Sequence, residues 1–188
     1  YLAYTAPHWP LQAPAETIDK YRGQYDDGYD ALAEKRLMSL EQIGLIEPGH
    51  IAPEQAYPET ESWNNLSDEQ KQIDAREMET YAAMVDNMDY HIGRVLNYLD
   101  ASGQRDNTIV IFISDNGAQG FGPGMARAFP QDWIDENFDT SFENIGKINS
   151  YAYLGPHWAR ASTAPMRMFK GFSSDGGLKV PAIISYPG

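Results

Sequence analysis

The chain has 188 residues, 42% of them hydrophobic, with a formal net charge of -13 and a sequence pI near 4.5, which suits one domain with a sizeable core. That acidity excludes nucleic acid and anionic membrane as partners, because a phosphate backbone is held by clustered Lys and Arg, so an anionic small substrate would need locally concentrated positive charge. The absence of cysteine excludes a disulfide framework and a thiolate metal site, no run of about 18 apolar residues is present, and the N-terminus lacks the basic and apolar regions of a signal peptide.

Tyr1 to Thr5 reads as a strand already under way, running into the turn-rich "APHWPLQAP". Ala15 to Tyr21 and Asp27 to Ile43 read as two helices, the second stopped by Gly44. The stretch "LIEPGHIAPEQAYPETESWNN" is dense in proline and acids and reads as a surface loop. Ser67 and Gln70 form a capping-box pattern that opens the longest helix, whose apolar face is Tyr81, Val85, Met88, Ile92, Leu96 and Leu99. Gly103 stops it, and "TIVIFIS", Thr108 to Ser114, is a continuous apolar strand of the kind covered on both faces in a parallel α/β sheet. Residues 117 to 150 have weak periodicity and read as a long excursion over the sheet edge, a lid or binding loop. The chain closes on "GGLKVPAIISYPG", a Gly-Gly turn into another strand.

Three places combine chemistry with a defined position. His8 follows the first strand between prolines that restrict the backbone and so fix the imidazole's direction. Asp115 and Asn116 terminate the apolar strand, where open α/β sheets bind ligands, and are adjacent hard oxygen donors suited to Ca²⁺ or Mg²⁺. Lys170 precedes the Gly-rich turn. Each has a plainer reading: a packed histidine, good turn chemistry in Asp-Asn-Gly, and a solvated surface lysine.

Together, "APHWPLQAP", "EMETYAAMVDNMDYHIGRVLNYL", "NTIVIFISDNG", "SFENIGKINSY" and "GPHWARASTAPMRMFKGFSSDGGLKVPAIISYPG" occur in one order, and in that order the chain resembles the type I sulfatases, nearest to bacterial arylsulfatases of the alkaline-phosphatase-like superfamily. The resemblance implies an α/β sandwich with a central, largely parallel or mixed sheet flanked by helices. It implies that residues 1–188 are an internal part of one catalytic domain, without the N-terminal nucleophile segment and the C-terminal subdomain. It further implies calcium, in preference to magnesium, held partly by Asp115 and Asn116. His8 then contacts a small-molecule sulfate ester on its leaving-group side, and Lys170 binds the sulfate and assists the departing oxygen. A cation with Lys and His would stabilise the anionic oxygens as charge moves to the leaving atom, so the positive field is local.

The family's nucleophile is a formylglycine made from the first residue of Cys-x-Pro-x-Arg or Ser-x-Pro-x-Arg. The 188 residues contain neither, and Thr163-Ala164-Pro165-Met166-Arg167 has the spacing without a convertible residue. The formylglycine is therefore expected upstream of Tyr1, and the piece alone is expected to be inactive. Two alternatives remain. One is a phosphatase or phosphodiesterase of the same superfamily, for which His157 is the histidine least easily set aside, with His50 in the acidic loop and His91 in the long helix. The other is a non-catalytic calcium- or carbohydrate-binding module with Trp9, Trp133 and Trp158 as sugar platforms.

Overall fold

The structure, a computed structural model, describes residues 1–49, 62–124 and 128–187. His50 and most of the acidic proline-rich loop lie outside the described residues. Helices predominate: α1 (Ala15–Asp19), α2 (Gly28–Gln42), α3 (Asp68–Ala101), α4 (Gln131–Asn137), α5 (Gly155–Thr163) and α6 (Asp175–Leu178). Two strands, β1 (Val110–Ile113) and β2 (Ala182–Ser185), and three short helical turns at Trp63–Asn65, Arg105–Asn107 and Phe142–Asn144 complete the described elements.

Local chemistry explains the helix ends. Gly44, at φ +72°, takes the left-handed position that stops α2. At the start of α3 the Ser67 side chain accepts from the Gln70 backbone N–H at 3.1 Å. Among the described residues no bond returns from Gln70 Oε1 to the Ser67 backbone N–H, and the Gln70 NH₂ group donates to Asp74 at 2.7 Å.

α2 packs on α5 and α1 packs on α3. Between them Tyr29, Trp63, Met78, Leu154, Trp158 and Phe169 form the main core. Trp158 is central, with rings of Tyr25, Tyr29 and Trp63 standing edge-on to it at 5.7 to 5.8 Å. Its indole N–H donates to the Asp74 carbonyl of α3 at 2.9 Å, so the polar edge of the ring is satisfied inside the core.

The fold corrects four expectations. α3 buries its N-terminal half, at Ala75, Met78 and Ala83, whereas Val85 is exposed and Met88, Ile92, Leu96 and Leu99 are only half-buried, because the core clusters draw their α3 residues from positions 73 to 84. Tyr1 to Thr5 pairs with no strand among the described residues. β1 pairs with β2 alone and antiparallel, Val110 opposite Ser185 and Ile113 opposite Ala182, so the described sheet is neither parallel nor covered on both faces. Ile111 and Ile113 are 61% and 63% exposed, since no described layer packs on that side. Residues 117–150 also carry α4 and a short helical turn at Phe142–Asn144, which their weak periodicity concealed.

The stretch "GPHWARAST" forms α5, which supplies the buried Trp158, Ala159 and Ala161. Replacing Trp158 by Ala should lower unfolding free energy by about 3–5 kcal/mol, and by Phe clearly less, in urea titrations followed by circular dichroism. Equal losses for the two variants would mean that ring volume is not what the site requires.

Candidate functional site

After β1 the chain turns through Ser114, Asp115, Asn116 and Gly117, and three distant segments bond to residues 117–121. Trp9 donates its indole N–H to the Phe121 carbonyl at 3.0 Å, and the Gln119 amide lies 3.5 Å from His8 Nε2. The Lys170 backbone N–H donates to the Ala118 carbonyl at 3.0 Å, and the Gly117 N–H donates to the Gly177 carbonyl at 3.3 Å. The segments bearing His8, Asp115 with Asn116, and Lys170 are thus joined through this one loop, although more than 100 positions separate His8 from Asp115.

Glycine permits this approach. A Cβ on Gly117 would lie 1.8 Å from the Gly176 carbonyl oxygen, one on Gly176 would lie 2.0 Å from the Met168 oxygen, and one on Gly177 would lie 2.1 Å from the Phe172 oxygen. The Gly-Gly pair of α6 therefore lets backbone meet backbone between the β1 loop and the Lys170 loop. Met168 is held at φ +64°, an unusual conformation for a residue with a side chain, and its carbonyl accepts from the Thr163 hydroxyl at 2.7 Å. Thr163, in the sequence with nucleophile-like spacing, is buried and serves to hold this turn.

The four candidate side chains differ in environment. Asp115 is exposed, whereas Asn116, His8 and Lys170 are half-buried. Among the described residues neither Asp115 nor Lys170 forms an ion pair. Asn116 Oδ1 is buried and accepts no hydrogen bond from a described residue, although the Asn116 carbonyl accepts from the Ser114 hydroxyl at 2.9 Å. A buried acceptor without a donor carries a cost of about 1–3 kcal/mol unless a cation or water satisfies it. Together with the Asp115 carboxylate it is a donor set of the right kind for a hard divalent ion. It falls short in number, since calcium takes six to eight oxygens and the described residues contain no cluster of three or more metal-binding side chains.

The strongest shifts in protonation lie elsewhere, beside a cavity of about 320 Å³ lined by Asp74, Glu77, Tyr153, His157 and Trp158 among others. Burial pushes the Glu77 carboxyl well above its ordinary range, the neighbouring Asp74 adds to this, and the Tyr153 backbone N–H opposes it. Burial, with a smaller contribution from Arg160, lowers His157 to about 4 against an opposing pull from Asp30. His157 stacks on Tyr29 with ring centres 4.2 Å apart, so it is a core histidine on α5. His91 lies exposed on α3, 3.2 Å from Arg94. Trp158 is buried and no sugar platform, while Trp133 stacks on Phe129.

The sulfatase family model matches residues 1–188, and the chain belongs to that family. It is 48% identical over 190 residues to an uncharacterized sulfatase of Schizosaccharomyces pombe, covering all of this chain and 34% of that protein. It is 38% identical over 192 residues to an arylsulfatase of Klebsiella aerogenes, covering all of this chain and 40% of that protein. The chain thus spans between a third and two-fifths of the length of these relatives. A solved structure of i-CgsB in complex with a neocarrahexaose aligns with a TM-score of 0.47 at 21% identity, over all of this chain and 22% of that one. Nothing in the sequence singles out Gln119, which lies just beyond the motif ending at Gly117, whereas the α6 glycines are the Gly-Gly turn that precedes the last strand.

His157 fixes one pH dependence. Its folded value, about 4, lies below the ordinary 6.5, so between these the unfolded chain binds the extra proton and stability falls as pH drops. The His157 share lowers urea midpoints from pH 6.5 towards 4, against the opposite share of Glu77, so His157→Phe should make the midpoint fall less, or rise more, across that window than it does in the unmodified protein. An unchanged slope in the variant would show that the imidazole does not cause it.

Proposed function

We propose that the chain serves sulfate-ester hydrolysis, converting an aryl or alkyl sulfate to an alcohol and sulfate, as an internal part of one alkaline-phosphatase-like sandwich domain. The observation that carries this reading is the joining of the His8, Asp115–Asn116 and Lys170 segments through one loop in a chain of the sulfatase family. The arylsulfatase name of the Klebsiella aerogenes relative supports the substrate class.

In this reading Lys170 holds the sulfate oxygens by charge, which a half-buried lysine without a described counter-ion favours. His8 orients the leaving-group side of the ester and exchanges a proton at Nε2. Asp115 and Asn116 Oδ1 would hold part of a calcium ion's shell, and the ion would supply positive charge towards the sulfate oxygens. The remaining ligands and the formylglycine nucleophile come from residues outside these 188, since the chain contains no cysteine and no Ser-x-Pro-x-Arg.

The full-length product containing these residues should hydrolyse p-nitrophenyl sulfate in preference to p-nitrophenyl phosphate, whereas the 188 residues alone should hydrolyse neither. Phosphate preference would transfer the chain to the phosphatase reading. In the active protein Asp115→Ala should lose metal and reduce kcat/KM by roughly 10²–10³, the scale of losing one electrostatic stabiliser. Full activity of that variant in chelator would remove calcium from the account. Lys170→Ala should raise KM and lower kcat together, because the same charge serves the bound ester and the departing oxygen. Unchanged kinetics would return Lys170 to the surface lysines.

A further inference from the structure

His8 sits in a closed circuit of hydrogen bonds with Trp9, Phe121 and Gln119. His8 Nδ1 lies 3.0 Å from the Trp9 carbonyl oxygen, which can only accept, so Nδ1 carries the proton of that bond. The Phe121 backbone N–H donates to Gln119 Oε1 at 3.2 Å, and the Phe121 carbonyl accepts from the Trp9 indole N–H at 3.0 Å. Because a backbone N–H can only donate, Gln119 must offer it the oxygen of its amide, which turns the NH₂ group away from Phe121. That NH₂ group lies 3.5 Å from His8 Nε2. With Nδ1 protonated, Nε2 bears a lone pair, and the long contact is that of an amide donating to an imidazole acceptor.

We propose that Gln119 is a positioning residue for His8, its amide locked by the Phe121 N–H so that it holds the imidazole in the tautomer protonated on Nδ1 and keeps Nε2 a proton acceptor. The proposal rests on the reading in which His8 meets the ester. It adds that the resting nitrogen facing the substrate is a base. To donate to a departing oxygen, Nε2 must first take up a proton from water. That proton displaces the Gln119 amide, since two N–H groups cannot share a bond. At 3.5 Å the Gln119 contact is the longest in the circuit and the one most easily exchanged for a substrate oxygen. A flip of the amide, which would turn its oxygen to an Nε2–H, leaves the Phe121 N–H facing a donor. The circuit therefore opposes the alternative tautomer through two bonds at once.

The test is nitrogen NMR of the imidazoles in the full-length protein that contains these residues, without substrate, at a slightly alkaline pH, with His8→Gln used to identify the His8 signals. Expected is one pyrrole-type resonance for Nδ1 and one pyridine-type resonance for Nε2. An Nε2–H tautomer in the unmodified protein overturns the proposal, whatever the activity on sulfate esters proves to be. Gln119→Glu replaces the donor by an acceptor that still satisfies the Phe121 N–H. Both His8 nitrogens should then become pyrrole-type at the same pH, and an unchanged spectrum would reduce Gln119 to a packing residue. Gln119→Met keeps side-chain length without the amide and should shift Nε2 towards a free pyridine-type nitrogen while Nδ1 stays protonated against Trp9. A stationary Nε2 resonance in that variant also counts against the proposal.

Discussion

Backbone contact at glycine is the constraint on which the candidate site depends. The loop after β1 can approach the Lys170 loop only because Gly117, Gly176 and Gly177 present no side chains where carbonyl oxygens lie within about 2 Å of any added Cβ. A Cβ at those distances must displace backbone, which is stiff, in contrast to a side-chain tip that swings away. Once the two loops are in register, the Lys170 N–H reaches the Ala118 carbonyl and the Gly117 N–H reaches Gly177. The polar geometry is a consequence of the close packing.

The aromatic core anchors that arrangement. Phe169, one residue before Lys170, is buried among Phe121 and Phe172, with ring centres 5.2 to 5.3 Å away. Burying it fixes the backbone beside Lys170 without touching the ammonium. A Cβ on Gly120 would lie 2.5 Å from the Phe169 ring, so the β1 loop is moulded on the same side chain. Trp158 on α5 ties the core to α3 through its bond to Asp74, and α5 leads directly into the turn at Thr163 and Met168. The site is therefore held by loops that are themselves held by rings, which gives rigidity without regular secondary structure.

Titration behaviour separates core from candidate site. Glu77 and His157, whose charges are disfavoured by burial, lie beside the cavity between α3 and the start of α5, and that cavity's lining contains none of His8, Asp115, Asn116 and Lys170. A perturbed titratable group in a cleft is ordinarily a reason to suspect function. Here burial gives both shifts a structural cause, with Asp74 adding to it at Glu77 and Arg160 adding to it at His157. The orphaned Asn116 Oδ1 is the more informative signal, because an acceptor is left unsatisfied where the chain turns at the end of an apolar strand.

The sequence by itself determined the features that rest on local rules. Ser67 capped α3, Gly44 ended α2, and the β-branched run at 108–114 became β1 with Asp115 and Asn116 just beyond its end. The ordered motifs also determined the family, because several short stretches in sequence order carry more information than any one of them. Tertiary structure decided which apolar residues are covered: α3 carries a regular stripe to Leu99, yet the core clusters take their α3 residues only from positions 73 to 84, so periodicity overstated the buried face. It decided that β1 pairs antiparallel with β2 and leaves isoleucines open to solvent, since pairing partners lie far along the chain and no local propensity selects them. Above all it decided the surroundings of His8. The bond to the Trp9 carbonyl is local, but the His8–Gln119 and Trp9–Phe121 contacts join residues more than 100 positions apart, and only folding brings an amide to that imidazole.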